Sequence, residues 1–158
     1  MVGLATGLLL VTGCGDKKLD KPLPTAPQHL VVKGPWRNGA SLPARYTCDG
    51  SSVKPDVRAR LPVGANGLAI VMTDPDAPGG TFVHWTRWGA SEGQNSFGKT
   101  GYGAPCPPKG DKPHRYVVTL YALRKPLGLK AGSKPDDVVA AIRPLAIASG
   151  SLTGSYRR

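Results

Sequence analysis

A chain of 158 residues with 40% hydrophobic and 20% charged side chains fits one domain with enough apolar surface to close a core, which excludes both a second full domain and wholesale disorder. Its 21 Gly and 16 Pro are poor residues for the interiors of helices and long strands, so a turn-rich fold is expected and a helical bundle is excluded. The formal net charge of +11 attracts anions, but the basic residues are scattered, with no run longer than a pair and no aromatic RNA-binding strand motif, so nucleic acid is not an expected partner.

Met1 to Thr12 is uncharged and apolar, with Leu8, Leu9, Leu10 and Val11 in a row. It falls short of the about 20 residues that span a bilayer and reads as the core of a signal peptide over residues 1–13. The segment Leu10-Val11-Thr12-Gly13-Cys14 resembles a bacterial lipoprotein box, which implies that Cys14 is lipidated as the first mature residue. No Lys or Arg precedes it, where such signals carry a positive start; the alternative is an ordinary cysteine in an apolar terminus. Residues 14–28 are polar and proline-punctuated and read as a lipidated tether, leaving a domain over 29–158. The expected location is the cell envelope, anchored to the membrane by lipid.

Within the domain, Leu30–Lys33, Arg45–Thr47 and Val57–Leu61 are short strand candidates separated by Gly, Pro and Asp turns at the spacing of a sandwich. Gly67–Thr73 is a continuous apolar run ended by Asp-Pro, as in a strand buried on both faces. Phe82–Trp88 and Arg115–Leu123 are rich in β-branched and aromatic residues and read as strands. Ser133-Lys-Pro-Asp136 resembles a capping box and opens a helix that runs through Ile142 and ends by Pro144. Between Leu145 and Tyr156 the pattern allows either a short helix or a final strand.

With Cys14 set aside, Cys48 and Cys106 remain. In an exported protein they are a candidate disulfide, with two separate buried thiols as the alternative. Zinc is a poorer reading, because neither has a second Cys or His at ligand spacing.

The residues with chemistry cluster in two blocks. Asp74 and Asp76 follow one strand, and His84 lies on the next after a Gly79-Gly80 turn, so a hairpin brings the three together. The loop Gly101–Gly110 is rich in restricted φ angles and leads into His114-Arg-Tyr116.

Tyr46-Thr-Cys-Asp-Gly50, Asp74-Pro-Asp-Ala-Pro78, His84-Trp85, Gly101-Tyr102, Pro105-Cys-Pro-Pro-Lys-Gly110, His114-Arg-Tyr116 and Leu120-Tyr-Ala-Leu123 resemble, in order and spacing, the phosphatidylethanolamine-binding protein family, most closely its bacterial Raf-kinase-inhibitor-like branch. The resemblance runs from about Leu30 to Arg158. It implies a mainly β fold of antiparallel sheets, a Greek-key sandwich with one or two peripheral helices, and a small surface pocket for phosphate-like anions. It implies that Asp74, His84, His114 and Tyr116 line that pocket, with the amides of the Ala104-Pro-Cys106 loop pointing in. Asp76 and Pro78 would shape the turn, and Trp85 would support His84. The chain departs from the family pattern at Ala104, where glycine is usual, at Gly89, where asparagine is usual, and at Ser52, Lys54–Val57 and Ala59.

An aspartate beside a histidine favours the imidazolium, and loop amides and a tyrosine hydroxyl add neutral donors, a set that suits tetrahedral oxyanions. A metal site needs neutral imidazoles and carboxylate oxygens converging on one point. The expectation is therefore a non-catalytic binding protein with no metal or other cofactor, whose partner is a phosphate-like small anion or a phospholipid headgroup. The alternatives are a protease or kinase inhibitor acting through surface loops, and a metal-assisted hydrolase using Asp74, His84 and His114.

Overall fold

The computed structural model describes residues 18–158. Residues 1–17, with the expected signal peptide, Cys14 and the first part of the tether, lie outside the described residues. The strands are β1 (Gln28–His29), β2 (Val32–Lys33), β3 (Arg58–Ala59), β4 (Gly67–Asp74), β5 (Phe82–Trp88), β6 (Ser91–Glu92), β7 (His114–Leu123) and β8 (Ala146–Tyr156), with one helix, α1 (Pro135–Ile142). Six of them form a sheet in the order β1-β8-β7-β4-β5-β6, antiparallel throughout except that β1 runs parallel to β8; β2 and β3 form a separate two-stranded ribbon. The expected mainly β class with a peripheral helix holds. The second layer is slight, built from the ribbon and irregular chain.

Strand alternation divides the apolar residues into two cores. Ile70 and Met72 of β4, with Tyr116, Val118, Leu120 and Ala122 of β7, face Leu30, Trp36, Leu42, Tyr46 and Val57 from the irregular chain. Ala69, Val71, Tyr121 and Leu123 face the opposite side, where Val138 and Ile142 of α1 and Leu127 cover them. β4 is central and buried on both faces because it carries apolar residues at consecutive positions rather than at every second one.

Four local expectations change. Arg45–Thr47 is part of a 3-10 turn over Ala44–Tyr46: the amides of Tyr46 and Thr47 bond Pro43 and Ala44 carbonyls, and the Tyr46 ring buries against Trp36 at 5.6 Å. Ser133 does not cap α1. Its hydroxyl donates to the Lys130 carbonyl, and the helix starts at Pro135, which has no amide proton to satisfy. The undecided C-terminal stretch is the strand β8, antiparallel to β7 along its length.

The fourth change concerns the tether. Residues 18–28 were expected to be free of the domain, yet they pack on it: Leu19, Leu23 and Ala26 join the core beneath α1. The Leu19 amide donates to the Thr81 carbonyl, Tyr121 and Arg143 donate to the carbonyls of Pro24 and Pro22, and Gln28 pairs with β8. Prolines leave carbonyls free while removing amide donors, so this segment docks through its acceptors and apolar side chains. The ordered domain begins by Lys18.

Candidate functional site

Three strands deliver their chemistry to one end of the sheet. Asp74 is the last residue of β4, Phe82 opens β5 opposite it, and His114 opens β7. Between them lies a cleft of about 230 Å³ lined by these residues and by His84, Tyr116, Cys106, Pro107, Pro108, Ala77, Pro78, Phe97 and Lys18.

His84 owes its position to a bulge. Pairing passes from Met72–Trp85 to Thr73–Val83, so His84 is the extra residue on β5 and has no partner on β4. Gly103 bonds it twice: the Gly103 amide donates to the freed His84 carbonyl at 2.7 Å, and the Gly103 carbonyl lies 2.8 Å from the ring nitrogen His84 Nδ1. A carbonyl only accepts, so Nδ1 carries the proton and Nε2 of the neutral ring is left with its lone pair. The ring packs against Phe82, Tyr116 and Phe97, at 4.9, 5.2 and 5.8 Å between centroids. Burial pushes its pKa down to about 4, against a smaller opposing effect of the Gly103 carbonyl and of Asp74.

The aspartate expected to hold an imidazolium is hydrogen-bonded to the other histidine. Asp74 Oδ2 lies 2.7 Å from His114 Nδ1, with both side chains buried, and Oδ1 accepts the Asp76 amide at 2.8 Å. His114 Nε2 lies 3.6 Å from Asp111 Oδ2. His84 is thus a neutral ring at neutral pH, which corrects the expectation of a charged donor there.

Tyr116 is fully buried, and its hydroxyl, beside the Asp74 carboxylate, has no hydrogen bond of good geometry within the protein. Burial, and next the nearby Asp74 carboxylate, hold its phenol well above the ordinary range, so it stays protonated and can donate.

Asp76 sits behind the cleft. Its carboxylate accepts the Arg115 amide and two guanidinium bonds, all between 2.8 and 2.9 Å, pinning the β4–β5 turn to β7. The Arg115 side chain is the main reason its carboxyl falls to about 2. Pro78 lines the cleft. Trp85 does not: its indole donates to Glu92 Oε1 at 2.9 Å, and the ring belongs to the core.

Cys48 and Cys106 are bridged, which joins the loop after the 3-10 turn to the cleft wall. The Cys48 amide also donates to the Pro105 carbonyl. Of the amides expected to point inward, Pro105 has none, and Ala104 is not among the lining residues. Ala104 has no positive φ, so alanine in place of glycine strains nothing there. Gly89 has φ +55° between β5 and β6, a conformation that both glycine and asparagine accept, which explains that departure too.

Lys18, Phe97 and Gly103 escaped sequence reasoning. Lys18 lies in a segment whose composition reads as tether. Phe97 is 46% exposed in a loop without periodicity, and the partnership of Gly103 with His84 follows from an extra strand residue that no pattern announces.

The chain is 33% identical to a UPF0098 protein of Pyrococcus horikoshii, over 98% of this chain and 87% of that protein. It is 34% identical to a Mycobacterium tuberculosis protein named as lipoprotein LppC, over 85% of this chain and 75% of that one. Among solved structures it resembles the phosphatidylethanolamine-binding protein homologue CT736 of Chlamydia trachomatis, with a TM-score of 0.77, 27% identity, and coverage of 83% of this chain and 99% of that one. The model of the phosphatidylethanolamine-binding protein family matches residues 33–157, nearly the whole ordered domain, and the chain therefore belongs to that family.

Proposed function

We propose that this protein is a non-catalytic binding module whose cleft takes a phosphoryl group or similar small anion, including a phospholipid headgroup, while a lipidated Cys14 holds it at the membrane. One observation carries the reading: the Tyr116 hydroxyl is buried in the cleft wall beside the Asp74 carboxylate, with no hydrogen bond of good geometry to the protein. Such groups are rare because an unmet buried donor costs about 1–3 kcal/mol, and a ligand oxygen supplies what is missing. The cysteine of the cleft is spent in the disulfide, so it offers no thiol to a bound ligand.

The membrane part rests on the lipoprotein-box resemblance and on the lipoprotein name of a relative. No helix among the described residues is long and apolar enough to cross a bilayer. Cys14 is four residues from Lys18 at the cleft, a span of at most about 14 Å, so an anchor there keeps the cleft close to headgroups.

The test is an NMR titration of the full chain carrying Cys14→Ser with phosphate and phosphoethanolamine, beside Tyr116→Phe and His84→Ala. Saturable shifts at Asp74, His84, Cys106 and His114 are expected, weakened about tenfold in Tyr116→Phe, as one lost hydrogen bond to a charged ligand requires. The same variant should be at least as stable as wild type, because it removes an unsatisfied hydroxyl. Silence across all three proteins would refute the anion cleft and turn attention to surface loops and a protease or kinase partner.

A further inference from the structure

The cleft holds a charge problem that its family motifs do not solve. His84 is buried and its Nδ1 proton is committed to the Gly103 carbonyl, so its ring brings no net charge at neutral pH. Any charge on His114 faces the Asp74 carboxylate at 2.7 Å and Asp111 at 3.6 Å. An anion entering this end of the sheet therefore meets the Asp74 carboxylate with no charge from His84 to offset it, and whatever charge His114 carries is shared with two carboxylates. Among the described residues that line the cleft, Lys18 is the one permanently positive side chain.

Lys18 is held there by several features. Its backbone forms a bridge with Phe82, the next amide, that of Leu19, donates to the Thr81 carbonyl at 3.0 Å, and its ammonium lies 4.4 Å from the Phe82 ring centroid. Gly80, at φ +125°, lies beside it: a Cβ there would meet Lys18 Cβ at 3.6 Å, an ordinary van der Waals contact. None of the ion pairs among the described residues engages Lys18, which also borders the groove lined by Asp20, Asp136 and Asp137.

We propose that Lys18 is the cation of the anion site, so that the segment leading from the N-terminus completes the cleft and ligand binding is coupled to the docking of that segment. The inference rests on the anion-cleft reading and adds to it the source of the positive charge. The ligand class is a compact oxyanion carrying at least one full negative charge, with one oxygen on the Tyr116 hydroxyl and another facing the Lys18 ammonium. Coupling is reciprocal: whatever factor the docked segment adds to anion affinity, the anion adds to segment docking.

The experiment uses the full chain with Cys14→Ser and inorganic phosphate at pH 7, at low and at physiological salt. Lys18→Gln should weaken phosphate about tenfold and flatten the salt dependence, Lys18→Arg should restore most of the affinity, and Lys21→Gln, outside the cleft, should change nothing. Phosphate should slow hydrogen exchange of the Leu19 amide by a matching factor in wild type and leave it unchanged in Lys18→Gln. Saturable phosphate binding that Lys18→Gln leaves intact would overturn the assignment of Lys18 and spare the cleft. No saturable binding in wild type would overturn both.

Discussion

Buried neutral histidine makes this fold sensitive to mild acid, and the size of the effect follows from the surroundings of His84. In the unfolded chain an imidazole titrates near its ordinary value of about 6.5; in the fold burial lowers it to about 4. Below pH 6.5 the unfolded state takes up a proton that the native state refuses, so stability falls with pH through this window and levels off below pH 4. The linkage integral amounts to about 2 kcal/mol lost between pH 7 and pH 5, and about 3 kcal/mol by pH 4. Asp76 does not blur the window, because its lowered carboxyl, at about 2, contributes stability that is lost only as pH falls below the ordinary carboxylate range. Urea unfolding at pH 7, 6 and 5 reads the effect directly: with a slope of roughly 2 kcal/mol per molar, the midpoint should drop by about 1 M from pH 7 to pH 5. His84→Gln should flatten that part of the profile. Should the substitution prevent folding, the wild-type His84 ring can be followed by NMR. A ring that titrates near 6.5 in the folded protein, or a midpoint unchanged between pH 7 and pH 5, would refute the reasoning.

Two further outcomes follow from packing and covalent structure. A Cβ at Gly150 would stand 1.9 Å from the Leu30 carbonyl oxygen, where β1 and the chain after it meet β8, so Gly150→Ala should cost about 3 kcal/mol in chemical denaturation. Gly39 has nothing within 4 Å but a φ of +82°, and Gly39→Ala should cost only about 1 kcal/mol; equal losses at the two sites would show that close approach is not what β8 requires. The bridge between Cys48 and Cys106 spans 58 residues of chain, and reducing it should lower stability by about 4 kcal/mol on loop-closure entropy. An unfolding midpoint insensitive to reductant, with intact mass confirming that two hydrogens were gained, would contradict that figure.

The three long strands that carry the site were legible in the chain because their pattern is local. Gly67–Thr73 announces β4 by an unbroken apolar run, Phe82–Trp88 matches β5 at both ends, and Arg115–Leu123 misses β7 only by His114. The Asp74, His84, Cys106, His114 and Tyr116 grouping was reached from ordered motifs, and the structure places these five around one cleft. Trp85 was drawn in by adjacency to His84, which ignores that neighbouring strand residues face opposite sides, and Ala104 by the resemblance of its loop, in which a residue near a lining one can turn away. Arg45–Thr47 failed as a strand because three residues cannot establish a period of two, and the buried Tyr46 ring decided their conformation.

What the amino-acid order determined alone was the class of fold, the order of its elements, the apolar faces and the set of polar residues available to a site, since each depends on spacing along the chain. Tertiary structure decided which aspartate-histidine pair forms, which ring stays neutral, and that Lys18 reaches the cleft. Those depend on an extra residue in β5, on burial, and on a segment whose composition gives it no reason to fold until Tyr121, Arg143 and the core under α1 offer it partners. Spacing is written in sequence; dielectric surroundings and contacts between distant segments exist only once the chain has closed on itself.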